Sequence, residues 1–195
     1  MPEQITAVIL CGGKAQRMNG ADKGLQQLAN KPLYQWVYEV IAPQVDQVMI
    51  SANRSLAQYQ ESHLPIITDA ITGFLGPLSG MLTGLQQAKT DWVLFVPCDT
   101  PYLPVNLVEK LMASRQADTN VIYVTDGERD HPTCCLLHKH LMPALEEYLQ
   151  QGQRRVLGFM QQHHYQTVDF STEKHHFINI NSLDELQFYS QQEEA

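Results

Sequence analysis

A chain of 195 residues is long enough for one domain with a sizeable core and short for two. Apolar residues at 44% and charged residues at 17% describe an ordinary globular composition, and a formal net charge of −8 argues against a general nucleic-acid binder, whose phosphate contacts need clustered Lys and Arg. The opening MPEQIT lacks the basic start and long apolar run of a signal peptide, no apolar stretch reaches the ~18–20 residues of a membrane-spanning helix, and Cys11, Cys98, Cys134 and Cys135 form no C-x-x-C pair, so a reduced cytoplasmic protein is expected.

In chain order, ITAVIL over Ile5–Leu10 is a continuous apolar run, as a strand buried on both faces requires. After a glycine-rich loop, Pro32 opens a helix to about Gln44, with Leu33, Trp36, Val37, Val40 and Ile41 at helical spacing. Strands are expected over Gln47–Ser51 and, shorter, Pro65–Thr68. A helix follows from Pro77 to about Ala88, then a buried strand over Trp92–Val96 that runs into Pro97-Cys98-Asp99. A helix from Pro104 to about Arg115 and a strand over Val121–Thr125 come next. The last third predicts strands at Thr133–Leu137, Tyr165–Asp169 and Phe177–Ile180, with helices at Lys139–Gln150, Arg154–Gln161 and Leu183–Ser190 and a frayed polar tail from Gln191 to Ala195. This alternation implies an α/β fold, Rossmann-like and doubly wound, with a mostly parallel sheet and helices on both faces, in a single domain over 1–195. Ligands bind beyond the carboxyl ends of such strands, where the chemistry-bearing residues of this chain cluster.

The strongest such cluster is Leu10-Cys11-Gly12-Gly13-Lys14-Ala15-Gln16-Arg17-Met18, followed by Asp22-Lys23. Paired glycines after a first strand let backbone N–H groups approach a phosphate, and Arg17 and Lys23 lie close enough in sequence to neutralise one. The stretch is neither G-x-x-x-x-G-K-[ST] nor G-x-G-x-x-G, which excludes a P-loop and removes the main support for a dinucleotide site. A lone Gly-Gly marks a plain turn about as often; the two cations favour the phosphate reading. Asp99, at the end of the WVLFV strand, suits a hard Mg²⁺ ion that takes one carboxylate plus substrate phosphate oxygens, although an isolated Asp there is more often a cap or turn residue. His163-His164 and His175-His176 have no zinc spacing and read as surface or partly buried; Cys134-Cys135 beside Leu136-Leu137 reads as strand core.

The L-x-G-G-x-x-x-R-M signature with its downstream D-K resembles the nucleoside-triphosphate transferases that activate sugars, isoprenoids and molybdopterin. Lys31-Pro32-Leu33, Ser51-Ala52-Asn53-Arg54, Gly76-Pro77-Leu78-Ser79-Gly80-Met81 and Pro97-Cys98-Asp99-Thr100-Pro101 narrow it to the molybdenum cofactor guanylyltransferases. So do the Asp126–Thr133 run DGERDHPT, Gly152-Gln153-Arg154-Arg155-Val156 and Asn179-Ile180-Asn181. The resemblance spans nearly the whole chain. It implies a nucleotide-diphospho-sugar transferase-like fold and transfer of GMP from GTP to the molybdopterin cofactor, with Mg²⁺ and without a covalent enzyme intermediate. It implies a nucleotide pocket of Leu10, Cys11, Gly12, Gly13, Lys23, Ser51, Asn53, Asp69, Gly80 and Asp99. Gly13, Arg17, Lys23 and Asp99 would then be catalytic, Asp99 also holding the metal. Ser51 and Cys11 are departures, standing where the family pattern has Asn and Ala; Cys11 reads as structural, not nucleophilic.

The molybdopterin side would use Gly76, at a glycine-bracketed helix start suited to an anion, and Arg154 and Arg155 as bidentate phosphate ligands. Asn179 and Asn181, alternating on a strand, would point to one face. The Asp126–His131 loop, too polar for core, would be a lid or a pterin contact, and a solvated helix end is the plain alternative for the arginines. An oxygen-sensitive product passed hand to hand adds other cofactor-assembly proteins and recipient molybdoenzymes as partners of a monomer or weak oligomer. Two rival readings stand beside this one: a cytidylyltransferase with the same chemistry, and a nucleotide-binding adaptor without turnover, which loss of Lys23 or Asp99 would have supported.

Overall fold

The structure, a computed structural model, describes residues 3–12, 22–69 and 76–193. Its nine strands are β1 (Ile5–Leu10), β2 (Gln27–Leu28), β3 (Lys31–Pro32), β4 (Gln47–Ser51), β5 (Ile66–Ile67), β6 (Trp92–Pro97), β7 (Val121–Thr125), β8 (Asp130–His138) and β9 (Tyr165–Asp169) among the described residues. The α-helices are α1 (Leu33–Ile41), α2 (Leu56–Gln60), α3 (Pro77–Gln87), α4 (Leu107–Ala113), α5 (Met142–Gln150), α6 (Val156–Met160) and α7 (Leu183–Glu193). Seven strands make one sheet in the order β5-β4-β1-β6-β8-β7-β9, parallel except for β8, which runs antiparallel to both neighbours. From β1 the chain winds outward to β4 and β5, then returns to place β6 on the other side of β1. That reversal opens a crevice beyond the carboxyl ends of β1 and β6.

The period-two geometry of strands sorts the apolar runs into two cores. Ile5, Ala7, Ile9, Leu94 and Val96 face the layer of α1, α2 and α4, meeting Val37, Ile41, Tyr59 and Leu107. Val8, Val93 and Phe95 face α3, α5 and α6, meeting Met81, Leu85, Leu145 and Phe159. Cys134 belongs to the first core and Cys135 to the second, so adjacent thiols on β8 fill opposite faces. The edge strand β9 alternates between exposed and half-buried positions, as a strand covered on one side should. A third, smaller cluster of Leu28, Leu33 and Ile180 sits under Trp36, Tyr102, Leu186 and Tyr189 and docks α7 on the β2–β3 hairpin.

Most of the elements expected from the sequence are present, with different ends at several. The helix expected from Pro104 begins at Leu107, and the one expected from Arg154 begins at Val156. The last helix continues to Glu193, so most of the tail expected to fray is helical. The strand expected over Phe177–Ile180 is absent: Ser171–Phe177 forms 3₁₀ turns and 178–182 is irregular. Its apolar residues are used singly instead, Phe177 in the first core and Ile180 under α7.

Candidate active site

The crevice at the strand reversal is a cleft of about 310 Å³, bordered by Leu10, Cys11 and Gly12 after β1, by Pro97, Cys98 and Asp99 after β6, and by Lys23, Arg54 and Asn179. Backbone bonds carry the sheet register into it, Cys11 N–H donating to Ser51 O at 2.8 Å and Cys98 N–H to Leu10 O at 3.2 Å. Asp99, with 14% of its side chain exposed, forms an ion pair with Lys23 through Oδ2. Its Oδ1 accepts from Asn179 Nδ2 at 2.9 Å, and the Asn179 amide also donates to Thr100 Oγ1 at 3.1 Å. Lys23 Nζ donates to Asn181 Oδ1 at 2.7 Å. Backbone N–H of Ile180 donates to Asp99 O at 2.9 Å, which fixes the segment between the two asparagines against the end of β6. Asn179 and Asn181 therefore do converge, through irregular backbone instead of the expected strand, and they converge on Asp99 and Lys23.

The asparagine segment is held in turn by the start of α7. Glu185 accepts from backbone N–H of Asn181 at 2.6 Å and of Ser182 at 3.1 Å, while Ser182 Oγ accepts from Glu185 N–H at 3.2 Å. This reciprocal S-x-x-E arrangement satisfies helix-start donors that would otherwise have no partner.

A second polar group adjoins the cleft behind Gly12. Asn53 Nδ2 donates to Asp69 Oδ2 and Asp69 N–H donates to Asn53 Oδ1, both at 2.9 Å, so the two residues lock each other. The other oxygen, Asp69 Oδ1, is buried and has no hydrogen-bond partner among the described residues. A buried acceptor left open costs stability, and a donor from a bound base would repay it. Gly80 on α3 passes close to this group: a Cβ there would lie 2.7 Å from Ser51 Oγ, 3.2 Å from Leu10 Cδ2 and 3.7 Å from Asp69 Oδ1. Gly12 adjoins it too, a Cβ at that position falling 3.3 Å from Asn53 Nδ2.

The structure thus brings together Leu10, Cys11, Gly12, Lys23, Ser51, Asn53, Asp69, Gly80, Asp99, Asn179 and Asn181. Gly13 and Arg17 lie outside the described residues. Gly76 precedes α3 with φ of 75°, next to Pro77, which borders the cleft. Arg154 is committed elsewhere: its guanidinium donates to Leu149 O at 2.8 Å and Gln153 O at 2.6 Å, capping the end of α5. Arg155 is exposed before α6, and neither arginine borders the cleft. The Asp126–His131 hairpin lies on the cleft's edge of the sheet and is pinned by Asp126, which accepts from Glu128 N–H and Arg129 N–H at 2.9 Å and pairs with His131 Nε2 at 2.7 Å. Burial would raise the Asp126 carboxyl, but the His131 ring and the two N–H donors outweigh it and hold it well below its ordinary value. A hydrogen bond with Cys11 together with burial pushes the Cys98 thiol far up, so no thiolate nucleophile forms there.

Residues 7–167 match the model of the MobA-like NTP transferase domain. The chain belongs to the MobA-like NTP transferase family. Among curated relatives it is similar to a molybdenum cofactor guanylyltransferase of Pasteurella multocida, 50% identical over 93% of this chain and 97% of that one. It is also similar to one of Mannheimia succiniciproducens, 51% identical over 93% and 96%. The fold matches the molybdopterin-guanine dinucleotide biosynthesis protein A of Archaeoglobus fulgidus with a TM-score of 0.80 at 21% identity, covering 97% of this chain and 98% of that one. The sequence pattern gives no role to Arg54, Thr100 and Glu185, which also take part here: Arg54 and Thr100 stand within its motifs and Glu185 in an S-x-x-E signal.

Proposed function

We propose that this protein transfers GMP from GTP to the molybdenum–molybdopterin cofactor and releases pyrophosphate. A terminal phosphate oxygen of the cofactor attacks the α-phosphorus of GTP; a new P–O–P link forms as the bond to the bridging oxygen of the β-phosphate breaks. The attacking phosphate is already ionised, so alignment and charge neutralisation supply the catalysis. The observation that carries this reading is the convergence of Lys23, Asp99, Asn179 and Asn181 beyond the β1/β6 reversal, in a chain about half identical to guanylyltransferases.

Lys23 serves the triphosphate, and the motif it shares with Gly12, Gly13 and Arg17 assigns those residues to it as well. The Asn53–Asp69 pair, Ser51 and Gly80 serve the base and ribose, where the open Asp69 oxygen suits a purine N–H donor. Beside the Asp99 carboxylate stand the Asn179 amide, the Thr100 hydroxyl and the Lys23 ammonium, and among the described residues no three His, Cys, Asp or Glu side chains gather as a metal cage. One carboxylate with neutral oxygens fits Mg²⁺, which keeps waters and takes further ligands from substrate phosphates. Bound at Asp99, Mg²⁺ would neutralise charge on the triphosphate. Asn179 and Thr100 orient the Asp99 carboxylate for it. The molybdopterin side is assigned to the cleft half nearest Gly76 and the Asp126–His131 hairpin, within one cytoplasmic domain spanning 1–195.

The test is pyrophosphate release from GTP and, separately, CTP, with Mg²⁺ and molybdenum-loaded molybdopterin. Release with GTP and not CTP is expected, and Asp99→Asn should lower it by at least about 10²-fold, as loss of a charge-stabilising group does. Release with CTP alone would overturn the base assignment, and full activity of Asp99→Asn would overturn the metal assignment.

A further inference from the structure

Lys23 sits between two residues that are fixed from below. Asp22 is buried, and its Oδ1 accepts from the Tyr59 hydroxyl at 2.6 Å and from Gly24 N–H at 3.3 Å. Asp22 Oδ2 lies 3.5 Å from Arg54 Nε, a charge contact. On the other side, Gly24 packs so closely that a Cβ would run into the Tyr59 hydroxyl and lie 3.2 Å from Cys11 Sγ and 3.4 Å from Cys98 Sγ. One phenol oxygen thus touches both neighbours of Lys23.

Tyr59 itself is enclosed by the first core. It belongs to α2, is fully buried, and stands edge-on to Tyr34 with ring centroids 5.3 Å apart. Burial, together with its carboxylate and thiol neighbours, keeps the phenol protonated as a donor. It does not border the cleft, which Lys23 does.

We infer that Tyr59 is a positioning residue for the reaction: its hydroxyl locks Asp22 and Gly24, and so fixes the backbone from which Lys23 reaches Asp99, Asn181 and the triphosphate. The inference rests on the assignment of Lys23 to the triphosphate. A lysine side chain has many rotamers, and its charge is useful at a transition state only when the backbone beneath it is held.

The experiment compares Tyr59→Phe, Lys23→Met and the double variant with the wild type. GTP turnover is measured as kcat and KM separately, and folding by circular dichroism and Tm. Tyr59→Phe is expected to lower kcat by roughly 10- to 100-fold, the scale of an ångström-sized misplacement, in protein that is fully folded at the assay temperature. Because it acts through Lys23, the double variant should be no slower than Lys23→Met alone. Losses that multiply in the double variant, or a folded Tyr59→Phe with wild-type kcat, would overturn the inference while leaving the role of Lys23 intact. A Lys23→Met variant with wild-type turnover would overturn the Lys23 assignment itself and this inference with it. If Tyr59→Phe does not fold, Gly24→Ala carries the test: the added methyl collides with the phenol oxygen and breaks the fit between Tyr59 and the Lys23 segment, so a matching loss of kcat supports the inference and wild-type kcat overturns it.

Discussion

At the scale of single residues, Gly80 shows how an absent side chain makes a site. It lets α3 lie against the end of β4 with Ser51 Oγ beneath it and Asp69 beside it. Gly80→Ala would place a methyl group 2.7 Å from a buried hydroxyl anchored in a central strand, closer than packed atoms sit. Overpacking of this kind costs about 1–3 kcal/mol, and here the strain falls on the pocket assigned to the base. The expected outcome is a weaker Kd for GTP by calorimetry in a variant that still folds. Unchanged binding would mean that Ser51 yields without cost. Composition and motif spacing point to Gly80 and Ser51 separately; that one leaves room for the other comes only from how closely the helix crosses the strand.

Among elements, α7 has a functional consequence out of proportion to its burial. None of its residues is buried, and it rests on the β2–β3 hairpin and on Tyr102 through Leu186 and Tyr189. Yet its first turn supplies Glu185, which holds the backbone of Asn181 next to Lys23. Glu185→Ala removes half of the capping arrangement and is expected to cost about 1 kcal/mol. That corresponds to a fall in Tm of roughly 2–4 °C for a chain of this size. GTP turnover should fall by more than this loss of stability explains, because the asparagine segment loses its anchor; an unchanged kcat in the folded variant would confine Glu185 to helix capping. The S-x-x-E signal was present in the sequence. The strand expected just before it was not formed, because Phe177 and Ile180 each fill a different core and no sheet edge is offered to the chain between them.

For the molecule as a whole, the sheet order sets which cysteines meet the cleft. Cys11 and Cys98 follow β1 and β6 at its floor, whereas Cys134 and Cys135 lie within β8, each sealed by a helical layer. Burial raises the thiols of Cys134 and Cys135 well above their ordinary value. Burial and the hydrogen bond with Cys11 raise Cys98 as well, so alkylation followed by peptide mass mapping should label Cys11, which borders the cleft, before Cys98 and the β8 pair, with GTP slowing Cys11. The β8 thiols should label only as the protein unfolds in urea. Labelling of Cys134 at the rate of Cys11 in native buffer would show that this part of the sheet opens locally. The count and spacing of the cysteines excluded a disulfide framework from the outset; their separation into two classes depends on which strands neighbour β1.

By itself the sequence determined the strands of the central sheet and the helices opened by Pro77 and Leu183; it assigned Lys23 and Asp99 to the nucleotide and Asn179 and Asn181 to the molybdopterin side, and only the structure brings the four together. Apolar runs, proline starts and glycine loops act within a few residues, so local pattern suffices to read them. Tertiary structure decided what depends on contacts between distant segments: Asn181 reaching Lys23 across 158 positions, Arg154 turning to the carbonyls of α5 instead of the cleft, and Tyr59 locking the residues on either side of Lys23. A side chain's partner is chosen by where the sheet order places its strand or loop. That order is set by burial summed over the whole chain, and no window of the sequence contains it.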